Sequence, residues 1–118
     1  MRKFILAIAV LIATPALATG FFGVAPARAD APGPITVTLQ NHKFTPSEIH
    51  VKANTPSVIA LTNKDTTAEE FDSTALKVEK VVAGNSSGNI RIRALAPGRY
   101  PFMGEYHAST AQGVVVAE

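Results

Sequence analysis

The chain has 118 residues, with eleven Lys or Arg against nine Asp or Glu, and it contains no cysteine. This length predicts a single domain. The missing cysteine excludes disulfides, a thiolate metal ligand and a cysteine nucleophile.

The N-terminal segment has the pattern of an export signal. Arg2 and Lys3 form a short basic head, and the apolar run FILAIAVLIATPALA follows them. Two small-x-small sites come next, Ala16-Leu17-Ala18 and Ala27-Arg28-Ala29, and cleavage after Ala29 is preferred because folded-type sequence begins soon after it. We therefore predict a cleaved signal peptide over 1–29, a flexible leader over 30–34 and a folded domain over 35–118, exported to the periplasm. The apolar run is short for a membrane span, which disfavours a retained anchor.

Cleavage changes the charge balance. It removes Arg2, Lys3 and Arg28 and leaves eight Lys or Arg against nine Asp or Glu. The sequence pI of about 9.2 therefore belongs to the precursor. No basic patch survives to suggest a nucleic-acid partner, and we expect contact with a membrane only through partner proteins.

The folded part shows short strands rather than helices. In Ile35 to Gln40, apolar and polar residues alternate, which is typical of a half-buried strand. Leu76 to Ala83 is ambiguous between a helical turn and a strand, and its valines favour the strand. Further strands are predicted near 49–52, 57–63, 90–94, 99–103 and 113–116. Turn signals every 8–12 residues and no sustained helical periodicity predict an all-β, antiparallel Greek-key β-sandwich of seven or eight strands.

Several segments carry a family resemblance. FTPSEIHVK, LTNKD, LAPGRYPF and HASTAQGVVV resemble the cupredoxin family, and the match covers residues 35–117. EEFDSTALKVEKVV and FMGEYHASTAQG are similar to the EfeO-type cupredoxin-like domains of bacterial ferrous-iron uptake systems. This resemblance implies a cupredoxin-like sandwich that binds copper, with iron as a substrate or second metal. It also implies either oxidation of Fe(II) or delivery of metal to an iron permease.

The blue-copper ligands of cupredoxins are absent from this chain. Gly104 stands at the cysteine position and Ala111 at the axial methionine position. His107 remains, in the hairpin where cupredoxins bind metal, and its imidazole suits copper, iron or zinc. We therefore expect His107 to be a metal ligand, with a purely structural histidine as the alternative.

Two adjacent glutamates compete for the position of the first cupredoxin histidine. Aligned on Phe71, that position is Glu69, whereas Glu70 matches the glutamate of the EfeO-type segment. Adjacent strand residues face opposite ways, so a regular strand cannot aim both at one ion. Both are retained as predicted ligands, against the alternative of a solvated acidic loop.

Glu105 and Met103 flank the vacant cysteine position. In an extended segment, Glu105 and His107 would face the same way and form a hard, oxygen-containing site. An exposed turn charge is the alternative for Glu105. Met103 could supply a thioether, or it could fill a gap in the core. His42 is a further candidate, for an auxiliary ligand or a ligand of a second ion, and His50 is expected to face solvent.

The predicted metal ligands are thus His107, Glu70, Glu105, Met103 and Glu69. The predicted function is copper and iron binding in ferrous-iron uptake, with Fe(II) oxidation or handover to a permease or another uptake component. The alternatives are a non-enzymatic copper carrier and a metal-free interaction module. A homodimer remains an open alternative to a monomer.

Overall fold

The computed structural model describes residues 33–118. The predicted signal peptide and most of the predicted leader lie outside the described residues. The strands are β1 Ile35–Gln40, β2 Lys43–Thr45, β3 Glu48–Val51, β4 Ser57–Asn63, β5 Glu69–Ser73, β6 Val78–Val82, β7 Ser86–Ile92, β8 Gly98–Gly104 and β9 Gln112–Ala117. One 3₁₀ turn, Glu105–His107, connects β8 to the segment before β9. In the described range, no helix is long and apolar enough to cross a membrane.

The strands form two sheets packed as a sandwich. The first sheet has the order β2-β1-β4-β7, and the second has the order β3-β9-β8-β5-β6. The predicted all-β sandwich is confirmed. Its detail needs correction, because the described residues form nine strands and two of the pairs, β1–β4 and β3–β9, are parallel. These two pairs join strands distant in sequence, which hairpins alone would not bring together.

The additional strand comes from a hairpin that the sequence analysis did not predict. Gln40 pairs with Lys43, so only Asn41 and His42 form the connection between β1 and β2. Both turn residues have positive φ, 53° and 56°. This combination is typical of a type I′ turn, whose twist matches that of the flanking strands.

An aromatic cluster lies in the core beneath one end of the sandwich. The rings of Phe71 and Phe102 stack with centroids 4.7 Å apart, and Phe44 meets Phe102 edge-on at 5.1 Å. A Cβ at Gly113 would lie only 2.2 Å from the ring of Phe102, so the ring needs a glycine on the neighbouring strand. Phe71 follows Glu69 by two residues on β5, and Phe102 precedes Gly104 by two on β8. Because alternate strand residues share a face, this cluster forms the floor beneath Glu69 and Gly104.

Candidate metal centre

Glu69 is a fully buried carboxylate at the start of β5. Its Oε1 accepts a hydrogen bond from the backbone N–H of Tyr106 at 2.9 Å. Its Oε2 lies 2.5 Å from Nδ1 of His107. A buried carboxylate without such partners would be strongly unfavourable. Glu69 therefore binds the 3₁₀ turn after β8 to the start of β5.

Gly104 makes room for that carboxylate. A Cβ at position 104 would lie 2.6 Å from Cδ of Glu69 and 2.8 Å from its Oε1. It would also lie 2.8 Å from Cβ of Ala111, which is fully buried. The residues present therefore do not fit a blue-copper centre. Both sulfur ligands are missing, and the carboxylate of Glu69 fills the space that the cysteine side chain would need.

His107 ends the 3₁₀ turn and has a partly exposed ring, with 25% of its side-chain surface accessible. Its backbone carbonyl accepts hydrogen bonds from the N–H groups of Ala111 at 2.8 Å and Thr110 at 3.1 Å. Its Nδ1 is used by Glu69. With the proton on Nδ1, the Nε2 lone pair remains for a ligand. Histidines that bind metals commonly have this carboxylate partner on the other ring nitrogen.

His42 lies directly against His107. The two rings are stacked with centroids 3.5 Å apart and an angle of 12° between their planes. His42 reaches this position from the β1–β2 turn, which the sequence analysis did not recognise. The pair Asn41-His42 between two strands is the sequence signal that could have predicted this turn, since asparagine and histidine tolerate positive φ.

Asp65 holds the β1–β2 turn in place. Its carboxylate accepts the backbone N–H of His42 at 2.9 Å and that of Asn41 at 2.8 Å. The hydrogen bond from the His42 backbone, followed by that from Asn41 and the nearby imidazoles, lowers the pKa of Asp65 below its ordinary value. Asn63, itself buried, accepts the N–H of Asp65 at 3.0 Å through its side-chain oxygen. The Asn-Lys-Asp segment therefore connects the end of β4 to the histidine-bearing turn.

Glu70 and Glu105 meet on the outer face of the second sheet. Desolvation, followed by the charge of the nearby Glu105, raises the pKa of Glu70 above its ordinary value. Glu79 and Asp72 act in the same direction. Met103 pairs with Asp72 across β5 and β8, and its side chain is exposed. This face thus carries crowded carboxylates beside a thioether.

The five predicted ligands therefore separate into two groups. The inner group, at the end of the sandwich, is Glu69 and His107, and the outer group is Glu70, Glu105 and Met103. The expectation that adjacent glutamates face opposite ways is confirmed. Glu105 and His107 were expected to face the same way if their segment were extended, and the segment is not extended. They lie in a 3₁₀ turn with about three residues per turn, so residues two apart project in different directions.

Met103 does not fill the core, because it is exposed. His50 faces solvent as expected, between Glu118 at 2.7 Å and Glu48 at 3.0 Å. Among residues 33–118, no three His, Cys, Asp or Glu side chains are placed together to hold a metal ion.

The comparisons with known proteins agree on the fold. Residues 4–117 match the family model described as the cupredoxin-like domain. The chain is 38% identical over 82 residues to the uncharacterized protein RP394 of Rickettsia prowazekii (strain Madrid E), covering 70% of this chain and 66% of that protein. It thus spans just under two thirds of that relative's length.

Solved structures at lower identity share the architecture. One is the metal-binding domain, with Cu(I), of the Cu(I)-exporting P-type ATPase CopA of Streptococcus pneumoniae D39 (TM-score 0.62, 14% identity, 72% of this chain and 84% of that chain). Another is a reduced amicyanin variant (TM-score 0.60, 19% identity, 75% and 85%). A third is the Cu-containing nitrite reductase of Thermus scotoductus SA-01 (TM-score 0.56, 17% identity, 74% and 23%). With the sandwich, the family match and these neighbours together, the chain belongs to the cupredoxin-like domain family.

Proposed function

We propose that this chain is an exported protein that binds copper, with iron as its substrate or second metal, in a ferrous-iron uptake system. The observation that carries the proposal is the contact between the buried carboxylate of Glu69 and Nδ1 of His107. A carboxylate in this position orients the ring and increases the basicity of the other nitrogen. His107 would then bind the metal through Nε2.

The donor atoms determine which metals suit this site. An imidazole supported by carboxylates, with no thiolate, favours Cu(II), Fe(II) or Fe(III) over Cu(I). The similar CopA domain was solved with Cu(I), and the similar nitrite reductase contains copper. The extension of copper to this chain is our proposal. In this arrangement Glu69 acts by positioning His107, because both of its oxygens already have partners within the protein.

The outer group is the proposed place for iron. Desolvation, and after it the negative charge of the nearby Glu105, raises the pKa of Glu70. A bound cation would relieve the repulsion between these charges, and carboxylate oxygens suit iron better than they suit soft metals. Met103 lies on the same face and could add a thioether. The resemblance of EEFDSTALKVEKVV to the iron-uptake domains supports this assignment.

Copper, when bound, would supply a one-electron acceptor for Fe(II). Oxidation of one Fe(II) would reduce one bound Cu(II) to Cu(I), so repeated turnover would require a further electron acceptor among the partner proteins to reoxidise the copper. Without such an acceptor, the same two groups would serve for handover of metal to a permease. These two forms of the proposal differ in one measurable quantity, the rate of Fe(II) loss.

Metal titration of the purified mature protein tests the proposal. We expect His107→Ala to weaken Cu(II) binding by about tenfold or more. The matched control is His50→Ala, because His50 is an exposed histidine paired with two surface carboxylates. Equal Cu(II) affinity in His107→Ala and the unaltered protein would remove His107 from the site.

Iron is tested separately, under anaerobic conditions. We expect the double variant Glu70→Gln, Glu105→Gln to lose Fe(II) binding and to retain Cu(II) binding. Stopped-flow measurement of Fe(II) loss in the copper-loaded protein then distinguishes oxidation from binding alone. Retained Fe(II) affinity in the double variant would contradict the assignment of the outer group.

A second candidate function is protein interaction through the same outer face. Val81 and Met103 lie on this face, and Tyr106 lies in the adjoining 3₁₀ turn; all three are large apolar or aromatic side chains with exposed surface. Each of the two strand residues is paired with a carboxylate, Val81 with Glu70 and Met103 with Asp72. A metal that binds only the folded state must raise thermal stability. An unchanged melting temperature with copper, iron and zinc would favour this second function over the first.

A further inference from the structure

Exposed hydrophobic side chains are grouped on one side of the molecule. In the described part of the chain, the large hydrophobic side chains that are exposed are Val81, Met103 and Tyr106, with accessibilities between 41% and 54%. Val81 lies on β6 and Met103 on β8, with β5 between these strands, and Tyr106 lies in the 3₁₀ turn after β8. Single exposed hydrophobic residues are ordinary, whereas several of them on one side of a protein indicate a contact surface.

Carboxylates lie between these hydrophobic side chains. Glu70 and Asp72 are two residues apart on β5 and point to the same, outer face. Glu70 pairs across the strands with Val81, and Asp72 pairs with Met103 on one side and with Glu79 on the other. The middle strand of this surface is therefore acidic, with a hydrophobic side chain on each side of it.

The negative charge of this surface is not neutralised within residues 33–118. In that range, no Lys, Arg or His side chain forms an ion pair with any of four carboxylates, which are Glu70, Asp72, Glu79 and Glu105. Lys77 lines the same depression as Asp72 and Glu79 without pairing with either, and Lys80 donates instead to the carbonyl of Asn89. The other carboxylates of the range all have partners, namely Glu48 and Glu118 with His50, Asp65 with two backbone N–H groups, and Glu69 with His107.

This charge determines which occupant suits the surface. Two copies placed with these faces together would bring like charges into contact, and anionic lipid or nucleic acid would be repelled in the same way. A protein surface with lysine or arginine among apolar side chains would neutralise the carboxylates and cover Val81 and Met103. Cations two residues apart on an extended segment are about 6.4–6.8 Å apart, which is also the spacing of Glu70 and Asp72 along β5.

We propose that the outer face of β5, β6 and β8 is a docking surface for a protein partner that presents lysine or arginine among apolar side chains. This inference rests on the second candidate function, interaction through the outer face, and adds the chemistry of the partner. Docking of this kind requires no bound metal. It can therefore be tested apart from copper and iron binding.

The probe is a synthetic peptide with equal numbers of lysine and leucine, added to isotope-labelled mature protein at low ionic strength with a metal chelator. We expect the amide NMR shifts to lie mainly in Glu69–Ser73, Val78–Val82 and Gly98–Gly104. Affinity should be about tenfold higher than for peptides with glutamine in place of lysine or serine in place of leucine. It should also fall as salt is added.

Two double variants localise the charge that matters. Asp72→Asn, Glu79→Gln should lower the affinity for the lysine–leucine peptide by about tenfold. The matched control is Glu48→Gln, Glu118→Gln, which removes the same charge near the opposite edge of the second sheet and should leave the affinity unchanged. Neither double variant changes a residue that is proposed to bind copper or iron.

The outcomes separate this inference from the other proposals. Equal affinity for the glutamine peptide would overturn the cationic partner and leave interaction through this face standing. Shifts confined to the first sheet, or no binding of any peptide, would overturn the docking surface. Self-association without peptide that Asp72→Asn, Glu79→Gln abolishes would assign the face to a second copy instead. The comparison of peptides uses the unaltered protein, so it does not depend on whether the variants fold.

Discussion

Substitution of Gly104 by alanine tests the packing that defines the inner site. The backbone of Gly104 has φ −88° and ψ 105°, which any residue adopts, so backbone strain does not arise. The added Cβ would lie 2.6 Å from Cδ of Glu69 and 2.8 Å from Cβ of Ala111. Glu69 is fully buried, so its carboxylate can move away only by loosening its bonds to Tyr106 and His107.

The expected cost follows from three terms. Overpacking of a close-packed core costs about 1–3 kcal/mol. Weakening a hydrogen bond to a charged group adds about 1.5–3 kcal/mol. Against these, replacing glycine by alanine restricts the unfolded chain and returns about 0.4–1 kcal/mol. The net loss is about 2–5 kcal/mol of unfolding free energy, which is a large share of the stability of a small domain.

Urea denaturation followed by circular dichroism measures this loss. The matched control is Gly33→Ala, because a Cβ at Gly33 meets nothing within 4 Å. We expect the double variant Gly104→Ala, Glu69→Ala to be less destabilised than the sum of its single variants, since removal of the carboxylate removes the clash. Stability of Gly104→Ala within about 0.5 kcal/mol of the unaltered protein would refute the reasoning, as would strict additivity in the double variant.

Three other perturbations have defined outcomes. Gly113→Ala should destabilise the fold by about 1–3 kcal/mol in urea denaturation, because its Cβ would lie 2.2 Å from the ring of Phe102; a stability equal to that of Gly33→Ala would contradict this. Asp65→Ala should cost about 1–3 kcal/mol at pH 7, because two backbone N–H groups lose their acceptor. The stability that Asp65 contributes should be lost as pH falls through its lowered pKa, so the two proteins should converge in acid. Folding raises the pKa of Glu70. Its contribution to stability is therefore present below the ordinary pKa of glutamate and is lost as pH rises through the pKa in the folded protein. Glu70→Gln should therefore be more stable than the unaltered protein near pH 7 and not below pH about 4, and a pH-independent difference would show that the charge of Glu70 is not what destabilises the fold.

Much of the sandwich follows from local patterns. The alternation of Ile35, Val37 and Leu39 with polar residues predicted β1, and in the structure Val37 and Leu39 are fully buried. The opposite directions of Glu69 and Glu70 follow from the period of two along a strand. Such features depend on neighbours in sequence, so the sequence alone was enough to predict them.

The missed features depend on contacts between distant segments or on short turns. The strand β2 has three residues, too few for a periodic pattern, and its turn is held by Asp65, 23 positions beyond His42. The direction of Glu105 depends on a 3₁₀ turn in which His107 is fixed by Glu69, 38 positions away. The stacking of His42 on His107 joins two loops, and no local spacing predicts it.

The close approach of Gly104 to Glu69 also has a consequence for how this site can change by mutation. A single Gly104→Cys substitution would not produce a thiolate copper centre, because the new side chain would meet the Glu69 carboxylate at its first atom. The glutamate would have to be replaced in the same step or before it, and its loss would leave His107 without its partner. The route between this site and a blue-copper site therefore passes through a less stable intermediate, and we expect glycine at 104 and glutamate at 69 to be gained or lost together.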